Sequence, residues 1–201
     1  MKRLAVYDLE IKNAIEDIPG GWSNHAAMGI SCLGLYDYNE DRYKVYDDYT
    51  KTEFLENYFM NPQVDLISFN GLKFDDKVVQ TNWMGITKDA NPPVPLPVRL
   101  CGEYDILDQV WKSLGRTNFH KGVSLGALCE STLFIPKSGP GALAPTLFKE
   151  GRIGELVTYC LHDVWMTKLL FEFIRIHGFV ISPEYSRISL EIPYDLSVGR
   201  G

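Results

Sequence analysis

Arg3-Leu4-Ala5-Val6-Tyr7-Asp8-Leu9-Glu10 is the stretch on which the fold turns. Its aliphatic and aromatic residues read as a strand from Arg3 to Glu10, and two acids stand at its far end. Side chains two apart on a strand share a face, so Asp8 and Glu10 project together while Leu9 points the other way. Two neighbouring carboxylates repel each other and gain nothing from burial alone, whereas a hard divalent cation removes the repulsion. The pattern is loose by itself, because an Asp-x-Glu arises about once by chance in a chain with this many acids. A solvated strand end is the competing reading of the pair.

Outward from this strand, a polar loop rich in Gly and Asn leads to two further strands, Met28 to Tyr38 and Arg42 to Tyr49. The turn Tyr38-Asn39-Glu40-Asp41 joins them as a hairpin. A short helix follows over Thr52 to Met60, capped by Thr50 or Thr52 and stopped by Asn61-Pro62. Val64 to Phe69 reads as a buried strand, and Phe74 to Met84 as a helix. Residues 86–98 hold four prolines and read as a surface excursion. Asp105 to Leu114 and Val123 to Leu133 are helices, with Asp105 and Asp108 as cap and first turn of the former. Ile135 to Thr146 is irregular. Ile153, Leu156, Cys160, Val164 and Ile174 recur at helical spacing in the longest helix, which runs from near Gly151 to Gly178. A short strand, Phe179 to Ile181, and a polar tail close the chain. An antiparallel meander followed by alternating helix and strand predicts an α/β fold with a mixed central sheet flanked by helices.

The 201 residues fit a single domain, with a core over about 3–178 and a tail over 182–201. Apolar residues at 45 % and charged residues at 23 % exclude a disordered chain. No apolar run reaches the roughly 20 residues of a membrane span. Met1-Lys2-Arg3-Leu4 runs straight into the strand and leaves no room for a signal peptide, so the expected location is the cytoplasm. The cysteines Cys32, Cys101, Cys129 and Cys160 lack zinc-type spacing and read as buried, reduced thiols. A formal charge of −6 argues against a general polyanion-binding surface, although bound cations can bring acids and phosphates together.

Two later motifs carry chemistry. Asn70-Gly71-Leu72-Lys73-Phe74-Asp75 is a turn followed by an acid near a helix N-terminus, where a carboxylate is favoured by the dipole. Tyr159 and Asp163 lie one turn apart on one face of the long helix. The spacing Tyr-x-x-x-Asp recurs at Tyr43/Asp47 and Tyr104/Asp108, so spacing alone does not select the third copy.

Taken in order, Asp8/Glu10, Asn70 with Phe74-Asp75, and Tyr159/Asp163 resemble the motifs of the DEDD 3′–5′ exonucleases on the ribonuclease H-like fold. The likeness is to the exonuclease domain of family B DNA polymerases and its stand-alone relatives, in the tyrosine form, and it spans residues 3–175. It implies a metal-dependent exonuclease that hydrolyses phosphodiesters at the 3′ end of single-stranded DNA. Asp8, Glu10, Asp75 and Asp163 would hold two divalent cations, Mg²⁺ or Mn²⁺, roughly 3.5–4 Å apart. Tyr159 would orient the attacking water, a role that suits a phenol of pKa near 10 better than that of a base. Asn70 would contact the terminal nucleotide, and Leu9 and Phe74 would wedge or stack against the last bases. Lys137 and His120 are candidates for phosphate contacts, and the Pro-rich stretch Asn91 to Pro97 for shaping a substrate channel. The partners implied are single-stranded nucleic acid, DNA in preference to RNA, and unidentified replication or repair proteins. An RNA-trimming exoribonuclease on the same fold and a non-catalytic nucleic-acid-binding module are the alternatives.

Overall fold

A computed structural model describes residues 2–47, 50–87, 98–117, 120–136, 143–193 and 196, with the backbone alone for 83–87. A five-stranded mixed sheet runs in the order β3-β2-β1-β4-β5. Its strands are β1 (Arg3–Ile11), β2 (Ile30–Asp37), β3 (Arg42–Tyr46), β4 (Val64–Ser68) and β5 (Gly102–Asp105). β1 to β3 form the expected antiparallel meander, while β4 and β5 join β1 in parallel.

Helices cover both faces. On one side lie α1 (Lys51–Phe54, continued by a π turn over Leu55–Phe59) and α2 (Asp75–Thr87). On the other lie α3 (Ile106–Ser113), α4 (Leu125–Leu133), α5 (Leu143–Lys149) and α6 (Ile153–His177). A separate hairpin, β6 (Phe179–Ser182) with β7 (Ser186–Ser189), packs against this second side. β1 shows why the two cores divide as they do. Its odd residues Ala5, Tyr7, Leu9 and Ile11 join Phe54, Phe59 and Val78 in one cluster. Val6 joins Val164, Leu170 and Phe171 in the other. The alternation is the strand's period of two, and it sends Asp8 and Glu10 toward α6. α6 approaches the sheet at Gly34, the partner of Asp8 across the ladder. A methyl added there would stand 3.0 Å from Cys160 Sγ and Val164 Cγ2. The bare backbone at Gly34 therefore sets how near α6 comes to β1.

Several expected boundaries change. β5 occupies residues ahead of the helix expected from Asp105, and Asp105 ends that strand while capping α3 through Leu107 N and Asp108 N. The helix expected from Val123 starts at Leu125, where the Ser124 side chain caps it by accepting from Ala127 N. Ile135 to Thr146 is not irregular throughout, because α5 begins at Leu143. Pro145 fits its first turn, where no N–H is needed. Neither Thr50 nor Thr52 caps α1 as expected: the Thr50 hydroxyl turns back to Asp47, donating to Oδ1 at 2.9 Å. α2 continues to Thr87, past the expected start of the Pro-rich excursion, while 88–97, including Asn91 to Pro97, lie outside the described residues. The tail is more than polar coil, since it contributes β7 and buries Ile188, Leu190 and Leu196. All four cysteines are buried and unbridged. Among the described residues, no helix is long and apolar enough to cross a membrane.

Candidate functional site

Parallel strands β1 and β4 end at the same edge of the sheet, and the helical layers part there into a cleft of about 660 Å³. Crevices beyond the carboxyl ends of parallel strands are where α/β sheets bind ligands. Asp8 and Glu10 enter the cleft from β1, Asp75 from the start of α2, and Tyr159 and Asp163 from α6. All five residues expected to be catalytic therefore meet, although they come from three elements far apart in the chain. The other two Tyr-x-x-x-Asp copies lie elsewhere. Tyr43/Asp47 is at the outer strand, and Tyr104 is buried with its hydroxyl donating to Glu191 O at 3.1 Å.

The site is acidic. Asp8, Glu10, Glu16, Asp75 and Asp163 line it, and none of the described lining residues is basic. Burial, then the charges of Asp75, Glu10 and Asp163, hold the Asp8 carboxyl well above the usual carboxylate range. Burial and the adjacent Asp76 push Asp75 up to about 8, against the opposing pull of backbone hydrogen bonds, including that from Leu9. Tyr159 is raised above an ordinary phenol by burial and by Asp163, Glu10 and Asp8, so at neutral pH it keeps its proton. Donor atoms of Asp8, Glu10 and Cys160 lie within 4.8 Å of one another. The thiol is nevertheless a supporting group. It donates to Asp8 O at 3.7 Å, and its contact with Cys32 and its burial keep it protonated. That leaves the carboxylates as the available ligand atoms.

Asp75 is placed by a hydrogen bond from Leu9 N at 3.2 Å, which pins the start of α2 to β1 between the two strand acids. The next residue repeats the link, for Asp76 accepts from the Tyr7 hydroxyl and from Arg99. The loop before them is set by Asp105, whose carboxylate accepts from Asn70 N at 2.9 Å and Leu72 N at 3.1 Å. The expected helix-cap role of Asp105 is therefore half of its work. Asn70 has φ 71°, the left-handed conformation of its turn, and it lines the cleft as well. Gly71 is a close approach rather than a flexible joint. A methyl there would overlap Ser68 Oγ and stand 2.6 Å from Ser68 Cβ. Gly71→Ala is expected to cost about 1–3 kcal/mol through this overlap. A thermal melt of the variant beside wild type measures the loss.

Phe74 is half-buried at the cleft wall. Leu9 also borders the cleft, but it is only 4 % exposed, most of its side chain lying in the core. His120 faces Arg116, with Nδ1 3.3 Å from Nη1, and it does not line the cleft. Lys137 lies outside the described residues. Trp22, from the loop after β1, joins the wall without having been singled out in the sequence. Its only sequence signal was a large aromatic residue in a Gly-rich polar loop. No family model and no curated protein matches the chain.

Proposed function

We propose that the protein is a metal-dependent 3′–5′ exonuclease that cleaves single-stranded nucleic acid, DNA in preference to RNA, on a ribonuclease H-like scaffold. The observation that carries this reading is the convergence of four carboxylates and Tyr159 in one cleft lined by no basic side chain among the described residues. The sheet order, with an antiparallel meander beside two parallel strands, supports the scaffold.

The donor set fits hard divalent cations. Asp8, Glu10, Asp75 and Asp163 offer oxygen atoms, which suit Mg²⁺ and Mn²⁺. Burial and then the charges of Asp75, Glu10 and Asp163 raise the Asp8 carboxyl, and such cations relieve the repulsive part. When bound, two divalent cations supply Lewis acidity and a water acidic enough to be deprotonated at neutral pH. The chain's own contributions follow from its geometry. Asp8 and Glu10 face the reaction from a rigid strand. Asp75 keeps one oxygen on Leu9 N, so its orientation is fixed before any ligand arrives. Tyr159, protonated, donates a hydrogen bond that orients the attacking water and does not remove its proton. Phe74, packed on the core that holds Leu9, forms the apolar side against which the terminal nucleotide rests, and Asn70 lies beside it.

Tyr159→Phe is expected to lower turnover on single-stranded DNA by about 10²-fold, in the range of a lost oriented hydrogen-bonding group. Mn²⁺ affinity should stay within about threefold, since a phenol supplies no ligand atom in this scheme. Unchanged turnover would remove the water-orienting role. Matched DNA and RNA oligonucleotides, degraded in parallel, test the preference for DNA; faster loss of RNA would reverse it.

A further inference from the structure

The cleft has two chemically different sides. Its floor is carboxylate, whereas Ile11, Ile15, Trp22 and Phe74 make one wall apolar. A ligand that suits both carries a flat apolar group next to a phosphate whose charge is met through cations. Trp22 is the unusual member of the wall. It is 66 % exposed, although a tryptophan contributes more than most side chains when buried. It nevertheless has a fixed ring partner: Trp22 and Phe74 meet edge to face, with centroids 5.7 Å apart and planes at 61°. The His25 ring also meets Phe74, with centroids 6.3 Å apart.

The turn presenting Trp22 is held in place. Gly20 and Gly21 have φ 89° and 52°, the left-handed region that lets the chain turn sharply just before the indole. Asn24 Nδ2 donates to Pro19 O at 2.9 Å across the turn. Asn82 Nδ2, from α2, donates to His25 O at 2.9 Å and ties the loop to the helix that begins with Asp75. An ordered, exposed indole beside a catalytic cleft is a preorganised surface, whose ordering cost is met in folding rather than in binding.

Resting on the nuclease reading above, we infer that Trp22, seated on Phe74, is the stacking shelf for an unpaired base at the reacting end of the strand. Stacking on an aromatic ring tolerates any base, because every base has a π-face. It also requires that the base be free of a duplex, so the shelf selects single strands by shape and leaves sequence unread.

The test compares a short oligothymidylate with an abasic deoxyribose-phosphate chain of the same length. Binding is read by anisotropy of an end label, with Ca²⁺ replacing Mn²⁺. Trp22→Ala is expected to weaken oligothymidylate binding about tenfold, and Trp22→Phe to recover most of the loss. On the abasic chain, wild type and Trp22→Ala should agree within about twofold, since no ring remains to stack. Equal binding of oligothymidylate by wild type and Trp22→Ala overturns the shelf, and so does an equal loss on both chains. If wild type hydrolyses DNA in Mn²⁺ but is indifferent to Trp22, only the shelf fails. If wild type neither binds nor hydrolyses either chain, the nuclease reading fails and the shelf with it.

Discussion

Asp8→Asn is expected to abolish metal-dependent hydrolysis while making the metal-free protein more stable at pH 8. The loss of activity should reach about 10³-fold or more, beyond the 10–100-fold typical of losing only a ligand's supporting partner. The gain in stability follows from the sign of the pKa shifts. A carboxyl whose folded pKa is raised stays protonated in the native state after the unfolded chain has released its proton, so stability falls as pH rises. For Asp75 that window opens near the unfolded value of about 4 and closes near the folded value of about 8. Asp8 shifts in the same direction, through burial first and then the charges of Asp75, Glu10 and Asp163. In EDTA, the wild-type melting temperature should therefore drop between pH 5 and pH 8, and Asp8→Asn should soften that drop. Mn²⁺ at about 100 times its dissociation constant should return about 2.7 kcal/mol to the wild type. For a domain of this size that is roughly 5–10 °C, and Asp8→Asn should lose most of it. Thermal melts at the two pH values, with and without Mn²⁺, check each part. If Asp8→Asn melted lower than wild type in EDTA at pH 8, Asp8 would be a structural ion-pair partner instead of a repelled ligand.

The second large effect is expected at Arg99, outside the cleft. Its guanidinium is 11 % exposed and pairs with Asp76, and with Glu103 at 3.0 Å. Asp76 in turn accepts from the buried Tyr7 hydroxyl, so the cation stabilises the joint between β1 and α2 on which Asp75 depends. Burial, against the pull of Arg99, already pushes Glu103 up to about 8. Arg99→Met would leave two adjacent carboxylates buried without their cation. Breaking a buried pair from one side costs about 3–5 kcal/mol, or roughly 10 °C or more here. Glu103 can answer by taking a proton, so the loss should be smaller at pH 5 than at pH 8. Denaturant unfolding at both pH values measures it. A change below about 1 kcal/mol, typical of exposed pairs, would show that the network carries no such strain.

The strand acids were legible because a period of two is the simplest geometric rule a sequence obeys, and Asp8 and Glu10 fall on one face of β1 by that rule alone. Tyr159 and Asp163 were legible once the helix around them was recognised, since four residues make one turn. Asp75 was nameable only through its order among the other motifs. What places it beside Asp8, the hydrogen bond from Leu9 N, is a contact over 66 residues that no local pattern records. Asp105 shows the same limit. Its cap role is local and was read, but its grip on Asn70 N and Leu72 N is not local and was missed. The short strand β5 disappeared into the helix that follows it because Asp105 belongs to both. α5 was hidden by Pro145, which breaks a helix interior but fits a first turn. Trp22 could not be assigned from sequence, because the conformations of Gly20 and Gly21 decide which way the loop presents it.

On the proposed function, the carboxylate cleft cuts phosphodiesters from a strand end with divalent cations. A time course on single-stranded DNA labelled at its 5′ end, in Mg²⁺, Mn²⁺ or EDTA, tests it most directly. The expected result is a ladder of labelled strands shortened one nucleotide at a time from the 3′ end in Mg²⁺ or Mn²⁺. It should be absent in EDTA and in the Asp163→Ala variant. Label released at once as a mononucleotide would contradict the polarity. An intact strand in every metal, or a ladder that persisted in Asp163→Ala, would contradict the site itself.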